Sequence, residues 1–308
     1  MQPLSSNEIY GNWATLLLPI KKNESIDWKL LEVEIDLLID YKVNGIYSNG
    51  TAGEFYNITE DEFDKVSLIL AEKCNGAGMP FQVGVSHMSP VISLNRLKRT
   101  LPLKPSAVQV ILPDWFGVTD AEAVDFLQKM SETAGEIGLV LYNPPHAKRN
   151  LEPEDFKRFQ QKIANLVGIK VAGGDEKWYA DMKQLCPDMS VFIPGHHLAS
   201  GCLKGAHGAY SNMACLNPLA AQKWYRSVVE GTDGALELEE RINAFLSEYI
   251  IPFITKKHYS NQAVDKCLAA IGGWSDMGTR LRWPYKSIDE ETAISLRPVA
   301  KNIIPEFF

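Results

Sequence analysis

The 308-residue sequence predicts an α/β protein, a (β/α)8 TIM barrel followed by a C-terminal helical extension, and three observations carry that reading. Eight short runs rich in aliphatic and β-branched residues recur along the chain. Longer stretches with helical periodicity separate most of them. From about Ala235 the strand-like runs stop and only helical periodicity remains. An open doubly wound sheet is the competing architecture. Its G-x-G-x-x-G loop after the first strand is missing, because LPIKKNESIDW follows that run instead.

The elements follow in order. The first strand is read in ATLLLPI from Ala14, and the helix after it in DWKLLEVEIDLLIDYK. The second strand is GIYSNG from Gly45. Its helix, TEDEFDKVSLILAEKC, opens on Thr59 as N-cap, and Thr59 with Glu62 fits a capping box. FQVGVS from Phe81 and AVQVIL from Ala107 are the third and fourth strands, and TDAEAVDFLQKMSETAGEIG is the next clear helix, with Thr119 as its cap. GLVLYN from Gly138, LVGIKV from Leu166, SVFIPG from Ser190 and GAYSN from Gly208 complete the eight. Residues 1–234 are therefore assigned to the barrel and 235–308 to the extension, which holds ALELEERINAFLSEYIIPFITKK, NQAVDKCLAAIGG and DEETAISLRPVAKN. No polar linker divides the two parts, so the extension is expected to pack on the barrel.

Composition narrows the class of function. Thirty-one Lys and Arg against 38 Asp and Glu leave a net charge of -7, which gives no general attraction to nucleic acid or anionic lipid. Five cysteines with no C-x-x-C pair suggest neither a disulfide framework nor a structural zinc site, and fit reduced thiols in a cytoplasm. No apolar run reaches membrane-spanning length, and the N-terminus lacks a basic segment followed by an apolar one. A cytoplasmic protein is expected.

Three features fall at the C-terminal ends of strands, where barrels of this kind carry their reactive groups. Lys170 ends the sixth strand in NLVGIKVAGGD. An ammonium in such a run is costly to bury, so either its head reaches water or a carboxylate such as Asp175, or the amine is used in its neutral form. A neutral lysine forms a Schiff base with a keto group, and the iminium is an electron sink for making or breaking the adjacent C–C bond. Tyr142 ends the fifth strand, where a phenol beside such an amine can move protons. NGTAGEF follows the second strand. Its Gly50 and Gly53 let the backbone turn sharply and aim the N–H groups of Thr51 and Ala52 at a small anion.

GTAGEF, YNPP and GIKVAGGD, in this order and on these strands, resemble the dihydrodipicolinate synthase / N-acetylneuraminate lyase family of class I aldolases. The resemblance runs from about Trp13 into the helical C-terminus. It implies a (β/α)8 barrel with a helical extension, usually tetrameric, that binds pyruvate or a related 2-keto acid on a lysine without metal or organic cofactor. By position it makes Lys170 the Schiff-base nucleophile and Tyr142 the proton shuttle. Thr51 stands in the hydroxyl relay, and the Thr51 and Ala52 amides hold the keto-acid carboxylate.

Three departures bear on substrate. The synthase has two adjacent hydroxyl residues where this chain has Thr51 and Ala52. Its loop aromatic, supplied by a neighbouring subunit, has Trp115 of LPDWFGV near its place. The arginine that grips the second carboxylate is replaced by Ala147 in YNPPHAKRN, with Lys148 and Arg149 as the nearest charges. A lyase or aldolase acting on another 2-keto acid is therefore expected, ahead of dihydrodipicolinate synthesis or a non-catalytic keto-acid-binding barrel. PGHHLASG and GAYSNMACLNP add His196, His197, Tyr210, Ser211 and Asn212 as candidate substrate contacts, with His196 and Tyr210 foremost and no more than one of the two histidines facing the site. A metal-dependent aldolase is the rival those histidines raise, but no H-x-x-E or H-E-x-x-H spacing accompanies them. The aldehyde half, and the choice of cleavage, condensation or dehydration, are not legible.

Overall fold

A strand with both faces apolar needs cover on both sides, and the eight strands find it by closing on one another inside a ring of helices. The computed structural model describes residues 1–308. Strands β1 (Gly11–Thr15), β2 (Gly45–Ser48), β3 (Phe81–Gly84), β4 (Ala107–Val110), β5 (Gly138–Tyr142), β6 (Leu166–Lys170), β7 (Ser190–Pro194) and β8 (Gly208–Tyr210) form a closed, all-parallel barrel in chain order. Closure is made where Gly11 of β1 lies opposite Gly208 of β8. Around it run α1 (Trp28–Asp40), α2 (Glu60–Ala77), α3 (Pro90–Thr100), α4 (Asp120–Ala134), α5 (Pro153–Gln160), α6 (Glu176–Leu185), α7 (Leu198–Lys204), α8 (Asn212–Leu216) and α9 (Pro218–Val229). Capping boxes open both α2 at Thr59–Glu62 and α4 at Thr119–Glu122.

The first strand lies earlier than the sequence suggested. The apolar run ATLLLPI enters the sheet only through Ala14 and Thr15. Leu16 N–H still donates to Tyr47 O, but Leu17 N–H turns to the Glu34 carboxylate of α1, and Leu16, Leu17 and Leu18 pass into the core as a buried loop. Unbroken hydrophobicity marked burial there rather than pairing. The other seven strands begin where expected and stop one or two residues sooner, and the residues released belong to the loops at the mouth.

Ile9, Trp13, Tyr47, Ala107, Val140, Phe192 and Tyr210 fill the barrel interior, so it is a packed core and not a channel. The larger core lies between barrel and helices. The extension comprises α10 (Ala235–Phe245), a π-helical segment at Leu246–Ile250, α11 (Ile251–Thr255), α12 (Asn261–Gly272), α13 (Glu290–Ser295) and α14 (Arg297–Ile303). Asn243, Leu246, Ile250, Val264 and Leu268 bring it over the barrel mouth, where they share a cavity with Lys170.

Candidate active site

Lys170 is the last residue of β6, so the barrel delivers its side chain to the mouth. Its Nζ stands 4.2 Å from the centre of the Tyr142 ring, 5.0 Å from that of Tyr47 and 5.2 Å from that of Tyr210. Three ring faces favour the cation, whereas loss of bulk water favours the neutral amine. Water loss is the larger effect. It brings Lys170 down to about 8, against the opposing charge of Asp265. At that value about one amine in ten is neutral at pH 7, compared with about four in ten thousand for an ordinary lysine. Asp175, which the sequence left open as a partner, caps α6 instead, accepting from Trp178 N–H at 2.8 Å.

The amine faces a cavity of about 480 Å³, whose wall also includes Tyr142, Thr51, Ala52, His196 and Tyr210. Burial lifts the Tyr142 phenol above its ordinary value, with the Thr51 hydroxyl beside it pulling the other way. The Thr51 and Ala52 N–H groups donate to nothing within the chain, while Glu54 N–H and Phe55 N–H fold back on Thr51 O and Gly50 O. Two free amides on one cavity wall suit a carboxylate.

Gly50 and Gly53 do not take the role expected of them. The left-handed residues of this loop are Asn49 (φ 55°) and Glu54 (φ 53°), and the glycines serve close approach. A Cβ on Gly50 would meet the Tyr47 ring at 2.7 Å, and one on Gly53 the Leu16 carbonyl oxygen at 3.0 Å. Glu54 is buried and pairs with Lys266 of α12 at 2.7 Å. Lys266 also donates to Arg280 O at 2.6 Å, so the loop after β2 is tied to the extension.

Trp115 lies elsewhere. It is 64% exposed and borders a second cavity, of about 560 Å³, together with Tyr56, His87, Ala147 and Lys148; Thr51 stands on both. No residue of the sequence announced this, because the loop after β4 is placed by contacts far along the chain. Lys148 donates to Trp115 O at 2.6 Å, and Arg149 is held by Asp120 and Asp155. Neither reaches the Lys170 cavity to replace the missing arginine.

Of the two histidines, His196 is half-buried and His197 exposed, though both edge the cavity. Burial and the neighbouring His197 bring His196 down to about 4, so it is neutral at pH 7; its Nδ1 lies 3.2 Å from Asn212 Oδ1. Tyr210 offers only its ring, since its hydroxyl donates to Gln82 Oε1 at 2.6 Å inside the barrel. No three His, Cys, Asp or Glu side chains gather at metal-binding distance.

Asp265 is the residue that sequence reasoning missed. Projecting from α12 into the cavity, it is raised to about 7 by burial, with the Lys170 charge opposing. The signal was available: Asp265 and Lys266 interrupt the apolar NQAVDKCLAA helix as Lys170 interrupts its strand.

A profile of the dihydrodipicolinate synthetase family matches residues 9–303. The 4-hydroxy-tetrahydrodipicolinate synthase of Methanococcus aeolicus is 28% identical over 211 residues, 68% of this chain and 72% of that one. Among solved structures, a prophage protein of the same family from E. coli K12, in complex with pyruvate, superposes with a TM-score of 0.83 at 18% identity, covering 96% of this chain and 98% of that one. The N-acetylneuraminate lyase of Fusobacterium nucleatum gives 0.82 at 19% identity, covering 96% and 99%.

Proposed function

The chain belongs to the dihydrodipicolinate synthetase family and is an aldolase or lyase of that family, and from that premise we propose that it works through a Schiff base between Lys170 and a pyruvate-like 2-keto acid. The observation that carries this is Lys170 itself. Burial holds it near 8 at the wall of the cavity, which is what a nucleophilic amine needs and what a structural lysine has no use for.

The neutral amine attacks the C2 keto carbon, and water leaves as the iminium forms. Electrons from the breaking C3–C4 bond then flow into the iminium to give an enamine and a free aldehyde; condensation is the reverse. Tyr142, flanked by Thr51, gives its proton to the oxygen that leaves as water, regains one from the C4 hydroxyl as the bond breaks and passes that to C3 of the enamine; water then hydrolyses the iminium, returning a proton to Tyr142 and freeing the keto acid and the Lys170 amine. The Thr51 and Ala52 amides hold the carboxylate. No metal or organic cofactor enters this scheme.

Dihydrodipicolinate synthesis is the less supported reading, although the Methanococcus relative is named a 4-hydroxy-tetrahydrodipicolinate synthase. Ala147 offers no guanidinium to a second carboxylate, and Arg149 is committed to Asp120 and Asp155. A silent keto-acid-binding barrel would carry the cost of a buried amine without use for it.

The test is reduction with borohydride in the presence of pyruvate, followed by peptide mass spectrometry. A pyruvyl adduct is expected on Lys170, absent in Lys170→Ala, with a trapping rate that rises with pH through about 8 as the amine loses its proton. A folded protein that traps neither pyruvate nor any of a panel of 2-keto acids overturns the reading.

A further inference from the structure

The cavity beyond Lys170 has an unusual balance of charge. Lys170 is the only Lys or Arg on its wall and Asp265 the only acid. The roof supplied by the extension is otherwise apolar or neutral: Leu246, Ile250, Ile254, Val264 and Leu268, with Asn243 and Asn261. The keto-acid carboxylate is accounted for by the loop amides, so the other half of the substrate lies under this roof. Three more facts single out Asp265. Lys266 is paired with Glu54 and Arg282 with Glu62, whereas the Asp265 carboxylate takes part in neither an ion pair nor a hydrogen bond with the protein. It shares the cavity wall with Lys170, near enough for each to shift the other, yet no ion pair joins them. It is carried one residue before Lys266, whose pairing with Glu54 fixes the helix against the keto-acid loop.

Building on the Schiff-base reading, we propose that Asp265 is a specificity residue for the aldehyde half: its carboxylate accepts hydrogen bonds from an uncharged, hydroxyl-bearing group and repels substrates with a second negative charge. A like charge brought against this carboxylate is disfavoured, while a hydroxyl supplies it with a donor that the protein does not. The titratable groups around it are Lys170 on β6, Tyr142 on β5, Tyr47 on β2, Tyr56 in the loop after β2, Cys215 on α8, and His196 and His197 after β7. Of these, Lys170 and the carboxyl itself are each brought close to neutrality by the site.

The experiment compares borohydride trapping of 2-oxohexanoate and 2-oxoglutarate, similar in length and different in distal charge, each expressed relative to pyruvate in the same protein. Wild type is expected to favour 2-oxohexanoate strongly at pH 8, and Asp265→Asn to reduce that preference about tenfold or more. Lowering the pH from 8 to 6 should narrow the wild-type preference more than that of the variant; titration of Lys170 cancels in the ratio. If both proteins trap pyruvate but the ratio and its pH dependence are the same, the role of Asp265 is refuted and the Schiff base stands. If wild type traps no keto acid at all, the Schiff-base reading fails and this one with it. Asp265→Ser serves as a second variant should Asp265→Asn not fold, and the same tenfold change is required of it.

Discussion

At the scale of single residues, function and stability pull against each other at Lys170. Its folded value of about 8 lies below the ordinary 10.5, so between those pH values the unfolded chain holds the extra proton and stability rises with pH. Below pH 8 the buried amine costs up to about 3 kcal/mol. Lys170→Met is therefore expected to abolish trapping while raising stability at pH 7, by an amount that shrinks toward pH 10.5. Urea unfolding of both proteins at a series of pH values measures this, and a less stable variant at pH 7 would contradict it. Tyr142→Phe removes only the proton-carrying hydroxyl and should slow carbon–carbon cleavage by about 100-fold or more.

At the scale of elements, the site depends on α12 as much as on the strands. Lys266 and Glu54, both excluded from water, join that helix to the loop we propose for the keto-acid carboxylate. Removing one partner leaves a buried charge alone, which costs about 3–5 kcal/mol, while removing both costs far less. Lys266→Met should accordingly lower unfolding free energy by roughly that amount and raise the KM for keto acid, and Glu54→Gln added to it should recover much of the stability. The π-helical turn at Leu246–Ile250 belongs to the same roof, with Leu246, Ser247 and Ile250 on the cavity between Asn243 before it and Ile254 after it.

At the scale of the whole molecule, barrel and extension share the cavity and the Glu54–Lys266 pair, so we propose that residues 1–234 do not make a working enzyme by themselves. A chain ending at 234 should be insoluble or fail to trap pyruvate. Trp115, the aromatic expected to meet a neighbouring copy, is 64% exposed, and Phe116 beside it 78%. A homo-oligomer, tetramer or dimer, is our reading, and Trp115→Asp should shift its mass toward the monomer in light scattering. No helix is long and apolar enough to cross a membrane.

The sequence by itself determined the barrel, because period-2 and period-3.6 hydrophobicity are local properties that survive being read along a line. It also placed Lys170, Tyr142 and Thr51, since each ends a strand or begins its loop, and every parallel strand ends at the same rim. Only the tertiary structure decided the rest. It moved β1 to Gly11–Thr15, because pairing across closure and not hydrophobicity fixes where a strand starts. It gave Gly50 and Gly53 a packing role, set Trp115 outside the cavity and turned the Tyr210 hydroxyl inward. It brought Asp265 opposite Lys170 from 95 positions along the chain, and nothing local to either residue specifies that approach. Contacts between distant segments arise from how elements pack, so they become legible only once the chain has folded.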